Sequence, residues 1–507
     1  VCGIVAGYGR TDEATGRRML ARLVHRGPDD EGAVQVGGAW LGHRRLSIVD
    51  LGGGRQPLTN DAGDFWLVGN GEIYNHEVVR GELGEQFTTR SDNEAALRLV
   101  DAKGPGALSS LEGMYAFVAA GADGRFIAAR DPVGIKPLYW AQRDDQVVFA
   151  SEMRAFDPEW RETVEAFPPG HYWTPEGGLT RFANPVTGLG APILAGGSGE
   201  EEGIPERILV ETREVLCAAV ESQMMGDVRV GVFLSGGLDS SIVAAIASDY
   251  LRARGERLIT FAVGTAGSSD LAAARRVAEF LGTEHHERIY GAEEALERVP
   301  EVVRTIEHFD PSLVRSAVPN LMVSELAAEH VKVVLTGEGA DEIFAGYEYL
   351  QEIDDAAALH AEIVRIIEGL HNLNLQRCDR VTMANGLEAR VPFLDRSVIA
   401  SGLRLPPALK LAGPGQPEKR ILREAFRGWL PEDILWRVKQ EFGDGSGAAD
   451  VLTDRLEASI SDAEFAAERA TMDPPIRTKE ELAYHRIWRD HLGAIDPDTT
   501  LGRFATA

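Results

Sequence analysis

Cysteine is nearly missing from this chain: three in 507 residues, at positions 2, 217 and 378. So sparse and odd a count argues against a disulfide framework and fits a reducing cytoplasm. No apolar run approaches the ~18 residues of a membrane span. The opening VCGIVAGYGR has neither the basic leader nor the long apolar core of a secretory signal. Positive charge is also short, with 52 Lys and Arg against 79 Asp and Glu, a formal charge of −27. Such a chain repels phosphate backbones, which disfavours a nucleic-acid partner; small anionic ligands need only local positive groups. Methionine is missing from position 1, where Val stands. The abundance of Ala, Gly and Arg points to a GC-rich gene, in which a GTG start codon translates literally as Val. On that reading Val1 is the initiator, removed before a small residue, and Cys2 becomes the true N-terminus.

What is present divides in two. Residues 2–183 carry short strand patterns (GIVAGYG, AWLGHRRLSIV, FWLVGN, MYAFVAA, RFIAAR, QVVFAS) with three helical stretches (EATGRRMLARLV, HEVVRGELGE, DNEAALRLVDA). This predicts a sheet-rich α+β domain. Residues 184–204, rich in Gly and Pro and closing on three glutamates, read as a linker. From 205 to 507 strand and helix patterns alternate (VRVGVFL, RLITFAV, HHERIY, VKVVL), the signature of an α/β domain with a parallel sheet covered on both faces. Beyond about residue 350 the pattern reads as almost wholly helical.

The sharpest motif is VGVFLSGGLDSS, residues 230–241. A buried strand runs into Ser235-Gly236-Gly237, and a helix begins near Asp239. Two glycines let backbone N–H groups approach a ligand, and the helix start adds partial positive charge, so the turn is an anion cradle at a strand end. The spacing is neither GxxxxGK[ST] nor GxGxxG. A second strand end, VKVVLTGEGADEIFAGY (331–347), repeats the design and adds Glu338, Asp341 and Glu342. Acids beside a phosphate cradle make sense if Mg2+ bridges them to the phosphates.

SGGLDSS resembles the pyrophosphate loop of the N-type ATP pyrophosphatases. TGEGADEIFAGY, GLEARVPFLD (386–395), EKRILREAF (418–426) and WRVKQEFGDGSG (436–447) resemble, in order, segments of the glutamine-hydrolysing asparagine synthetases. The resemblance implies two-step chemistry. A carboxylate attacks the α-phosphorus of ATP and releases pyrophosphate; ammonia then displaces AMP and leaves an amide. It assigns Leu234, Ser235, Gly236, Gly237, Asp239 and Ser240 to the ATP phosphates, Val263 to the adenine, and Thr336 and Gly337 to the nucleotide. Asp239 and Asp341 would hold Mg2+, Glu338 would act at the amide-forming step, and Lys439 would neutralise charge on the phosphates, with Lys419 a second candidate.

Residues 2–182 resemble the class II glutamine amidotransferases, whose fold is the N-terminal-nucleophile sandwich. A nucleophile needs a base. His25, His43 and His76 are available, yet each also reads as structural. A terminal Cys2 needs none of them, because an α-amine with a pKa of roughly 8 can take the proton. RRLSIVD supplies Arg45, whose fork suits the α-carboxylate of glutamine. NGEIYN supplies Asn70 and Gly71 for an oxyanion hole, followed by Glu72; Asp92 in SDNE would pair with the substrate ammonium. Ammonia would then cross between the halves by an apolar, water-poor path. Partners are therefore glutamine, ATP and a small carboxylate, and the family's frequent dimers leave a homodimer open.

The acceptor is where the pattern departs. The family segment DPTTVRAS, which helps bind aspartate, reads DPSLVRSA here (310–317): Arg315 is kept, and the paired hydroxyls become Ser312 and Leu313. Loss of a hydrogen bond to a charged group costs about 1.5–3 kcal/mol, enough to alter preference. Aspartate is the expected acceptor. The alternatives are another carboxylate handled by the same chemistry, as in natural-product biosynthesis, and a catalytically silent homologue with a binding or regulatory role.

Overall fold

The computed structural model describes residues 2–9, 11–84, 87–186, 204–412, 417–439, 449–471 and 474–504. Val1, most of the expected linker and residues 440–447 of the last motif lie outside them.

Residues 3 to 181 form two six-stranded antiparallel sheets. Gly3–Tyr8 lies inside the first, between Ala39–Arg45 and Gln146–Ala150. Phe65–Ile73 and Gly113–Gly121 pair along their full length in the second. Strand alternation explains the layering, since successive side chains point to opposite faces. Ile4 and Ala6 join Ala116, Val118 and Phe149 in the core between the sheets. Tyr115, Phe117 and Ala119 face the other way and pack on Ala96, Leu99 and Val100 of helix Asp92–Lys103. Val5 and Met114 point into a third core shared with the rest of the chain. The six strand and three helix patterns of this half all appear as elements.

The second half is built on a five-stranded, all-parallel sheet. Its spatial order is Glu284–Ile289, Ile259–Gly264, Val230–Phe233, Val333–Leu335, Glu388–Arg390. Chain order therefore reverses between Val230–Phe233 and Val333–Leu335, and an open α/β sheet binds its ligand in the crevice at such a point. Past residue 350, where the pattern reads as almost wholly helical, Glu388–Arg390 is the one strand among the described residues. Three residues are too few to show a period, and two of them are charged. Those charges are buried because they pair with each other, Arg390 Nε donating to Glu388 at 2.5 Å.

Candidate active sites

In the first half, the start of strand Gly3–Tyr8 brings Cys2 against Asn70. The Cys2 N–H donates to Asn70 Oδ1 at 2.9 Å, and the Cys2 carbonyl accepts from Arg26 Nε at 3.0 Å. Asn70 Nδ2 is buried with no partner among the described residues, a donor left over for a ligand oxygen. Gly71 has φ +136°, and a Cβ there would lie 1.9 Å from the Met114 carbonyl, so only glycine fits. Arg45 is buried and donates to the carbonyls of Asp50 at 2.8 Å and Val49 at 3.3 Å, ordering that loop. Val49 and Asp50 border a cavity of about 290 Å3 with His76 and Arg80. Asp92 opens its helix and accepts from the Ile73 N–H at 2.7 Å. Burial raises the Asp92 carboxyl above its ordinary value.

Two of the three histidines are engaged elsewhere. His25 Nε2 meets Glu152 at 3.0 Å, and His43 Nε2 donates to the Gly69 carbonyl at 3.1 Å. Burial pushes His43 down to about 3, so it is neutral near pH 7. His76 Nδ1 lies 3.5 Å from Glu77. Glu72 points to the other half, 3.8 Å from Arg390, and its carboxyl is raised well above the ordinary value by burial and by Glu388.

In the second half, the loops after the two central strands press on each other. Gly236 has φ +74° and sits on Ala273 and Ala274. A Cβ on Gly337 would lie 2.9 Å from Asp239 Cβ and 3.0 Å from the Ser240 nitrogen, so the second loop can lie on the first only as glycine. Ser240 Oγ accepts from the Ser235 N–H at 3.2 Å, bracing the turn. The loops open into a cavity of about 820 Å3 bordered by Ser235, Gly237, Asp239, Val263, Thr336 and Glu338. Leu234, Ser240, Gly337, Asp341, Ser312, Arg315 and Lys439 border it too.

Lysines control its acids. Lys419, 2% exposed, reaches Asp239 at 2.5 Å and Asp341 at 2.7 Å. Lys439 reaches Asp341 at 2.8 Å and lies 4.8 Å from the Tyr347 ring centre. Burial would raise Asp341, but both ammonium groups overcome it and hold the carboxyl well below its usual range. Lys419 therefore stands nearer the two carboxylates than its rank behind Lys439 implies. Among the described residues no cluster of three His, Cys, Asp or Glu side chains is arranged as a metal site. The residues present nevertheless fit a Mg2+ that takes its other ligands from phosphates: Asp239 Oδ1 is buried with no hydrogen-bond partner among the described residues, next to Asp341.

Helix Asn374–Met383 supplies residues that no quoted motif contained. Arg377 binds Glu338 and donates to Ser316 Oγ at 2.7 Å. Burial pushes the Glu338 carboxyl up against the pull of Arg377. Asn374 Nδ2 donates to Glu342 at 3.0 Å, and the Tyr347 hydroxyl donates to the same carboxylate oxygen at 2.6 Å. Cys378 borders the cavity with a thiol raised to about 12 by burial. On the facing helix, Pro311–Ala328, Ser312 and Arg315 border the cavity, whereas Leu313 is 1% exposed and packs in the core. Arg315 is held by Thr453 at 3.2 Å and Glu480 at 3.4 Å.

The asparagine synthase family model matches residues 211–355 and 350–494, and the glutamine amidotransferase domain model matches residues 1–174. The chain is 38% identical to a probable glutamine-hydrolysing asparagine synthetase of Dictyostelium discoideum, over 96% of this chain and 93% of that protein. The chain belongs to the glutamine-hydrolysing asparagine synthetase family. Family members from Escherichia coli (asparagine synthetase B, 38% identical over 93% of this chain and 87% of that one) and Arabidopsis thaliana (asparagine synthetase 2, 39% over 96% and 87%) span both halves as well. The likeness therefore covers the amidotransferase sandwich and the synthetase sheet together. The family accounts for a carbon–nitrogen ligase that takes its amide nitrogen from glutamine and spends ATP.

Proposed function

We propose that this protein makes asparagine from aspartate, ATP and glutamine in the cytoplasm, with Cys2 as glutaminase nucleophile and the large cavity as synthetase site. One observation carries the reading: the SGG loop, Glu338 and the Ser312–Arg315 helix face border a single cavity. Adenylate formation and amide formation share an acyl group, so both need one chamber.

In the sandwich, the Cys2 thiol attacks the glutamine side-chain carbonyl as its own amine takes the thiol proton; the amine then gives that proton to the departing ammonia, and water splits the thioester to release glutamate. Asn70 Nδ2 is the donor for the developing oxyanion, and Asp92 and Arg45 hold the two ends of the amino acid. In the synthetase cavity, the aspartate side-chain carboxylate attacks the α-phosphorus and pyrophosphate leaves. The SGG turn and Ser240 receive the phosphates, and Lys439 and Lys419 offset their charge. Mg2+ on Asp239 and Asp341 would add further charge neutralisation when bound. Ammonia then attacks the acyl carbon, AMP leaves with the bonding electron pair, and Glu338 takes the proton released from nitrogen.

The departure at position 313 loses its force as evidence for another acceptor, because Leu313 is turned into the core. The test offers ATP, Mg2+ and glutamine with a panel of carboxylates and measures pyrophosphate and amide. Aspartate-dependent release of both is expected. Release with a different carboxylate alone would overturn the aspartate assignment, and none with any acceptor would favour a silent homologue.

A further inference from the structure

Residues Gly502 to Phe504 lie past residue 494, where the asparagine synthase model stops matching. They still reach the synthetase cavity: Arg503 and Phe504 border it together with Ser312, Arg315, Asn374 and Arg377. Each residue of the segment is pinned. The Gly502 N–H donates to the Asn372 carbonyl at 3.1 Å, and a Cβ on Gly502 would lie 2.8 Å from the Leu373 side chain. The segment therefore lies directly on the start of the helix that carries Asn374 and Arg377. Arg503 donates to the carbonyls of Pro474 at 2.8 Å and Pro475 at 3.2 Å, and to Glu481 at 2.7 Å. The Phe504 carbonyl accepts from Arg477 at 2.7 Å, and its N–H donates to Asp310 Oδ2 at 3.3 Å. The other oxygen of Asp310 caps the acceptor helix by accepting from the Ser312 N–H at 3.0 Å. One buried carboxylate thus ties this segment to the helix bearing Ser312 and Arg315.

The charges around it follow a pattern. Two consecutive glutamates at the start of helix Lys479–Leu492 hold two cavity-lining arginines, Glu480 holding Arg315 and Glu481 holding Arg503. Arg503 Nε is buried with no partner among the described residues. Arg503, which borders the cavity, thus keeps its Nε–H without a partner among those residues. Aspartate carries two carboxylates, and only one is activated; the other must be recognised, or any small carboxylate would serve.

We propose that Arg503 is a specificity-determining residue of the acceptor subsite: its Nε–H reads the acceptor carboxylate that is not activated, and Phe504 closes the wall beside it. This rests on the synthetase reading above. The test measures KM for aspartate and for ATP in the full-length wild type and Arg503→Ala, following pyrophosphate with ammonia as nitrogen source. Loss of a charge-assisted hydrogen bond predicts a rise of about tenfold or more in KM for aspartate, with KM for ATP within about twofold. An aspartate KM within about twofold, or both constants rising together as in a general loosening, would overturn the inference. Glutamine hydrolysis reports that the chain has folded. If Arg503→Ala lacks it, Arg503→Lys, which keeps the charge and the reach to Glu481 but not the Nε–H, is read by the same two outcomes. A wild type that releases no aspartate-dependent pyrophosphate would instead overturn the synthetase reading itself.

Discussion

Arg26 and Asp379 come from opposite halves of the molecule and meet in full burial, Arg26 donating to Asp379 Oδ2 at 2.7 Å. Arg26 also meets Glu152 at 2.7 Å and the Cys2 carbonyl at 3.0 Å. Lys136 and Arg380 stand 3.8 and 3.4 Å from Asp379. The described contacts that join the two halves beside Cys2 are thus ionic. Removing one member of a buried pair leaves a charge without its partner, which costs about 3–5 kcal/mol. Arg26→Ala is therefore expected to destabilise the fold by that order and to lower glutamine hydrolysis. Denaturant unfolding checks it, and a loss under about 1 kcal/mol would count against the network.

The Cys2–Asn70 contact leads to a prediction about residue 1. If Val1 is removed, the nitrogen that Asn70 Oδ1 now accepts from becomes an amine and the base of the reaction. Intact mass should show residue 1 absent in active material. Cys2→Ala should abolish glutamine-dependent synthesis and spare synthesis from free ammonia. Loss of both would refute the division of labour between the halves.

His43 sets a pH dependence. Its folded value of about 3 lies below the unfolded value of roughly 6.5. Between those values the unfolded chain binds the proton and the folded one does not, so stability falls as pH falls, by at most ~1.4 kcal/mol per unit. In His43→Gln the slope of unfolding free energy between pH 4.5 and 6.5 should be shallower than in the wild type. Equal slopes would show that His43 titrates normally.

Leu313→Thr restores the hydroxyl of the family pattern at a site that faces the core. The expected result is a loss of about 2–4 kcal/mol of stability with acceptor preference nearly unchanged. A change of about tenfold in preference between aspartate and other carboxylates would place this residue in the binding surface after all.

These cases show what the sequence could and could not reveal. SGGLDSS and TGEGADEIF were legible because a phosphate loop needs glycine at fixed positions, and Gly236 and Gly337 are where the backbones touch. Strand alternation was legible because Ile4 and Val5 must face different layers. The place of helix Asn374–Met383 at the site was not, because Arg377, Asp379 and Arg380 are charged, and only partners from distant segments account for their burial. The inward turn of Leu313 was hidden for the opposite reason: helix Pro311–Ala328 is apolar on most sides, so no period marks the side that meets the cavity. Arg503 was missed because two chain-distant prolines and a glutamate bring it to the site.

The helix Asn374–Met383 has a consequence for nitrogen economy. Two positions apart, Arg377 grips Glu338 at the large cavity, and Asp379 grips Arg26, which holds the Cys2 carbonyl. If Cys2 and the cavity act as proposed, production and use of ammonia are fastened to one helix. On that reading, substitutions in the helix that touch neither reacting substrate are expected to change the number of glutamines hydrolysed for each amide made, a ratio that can be measured.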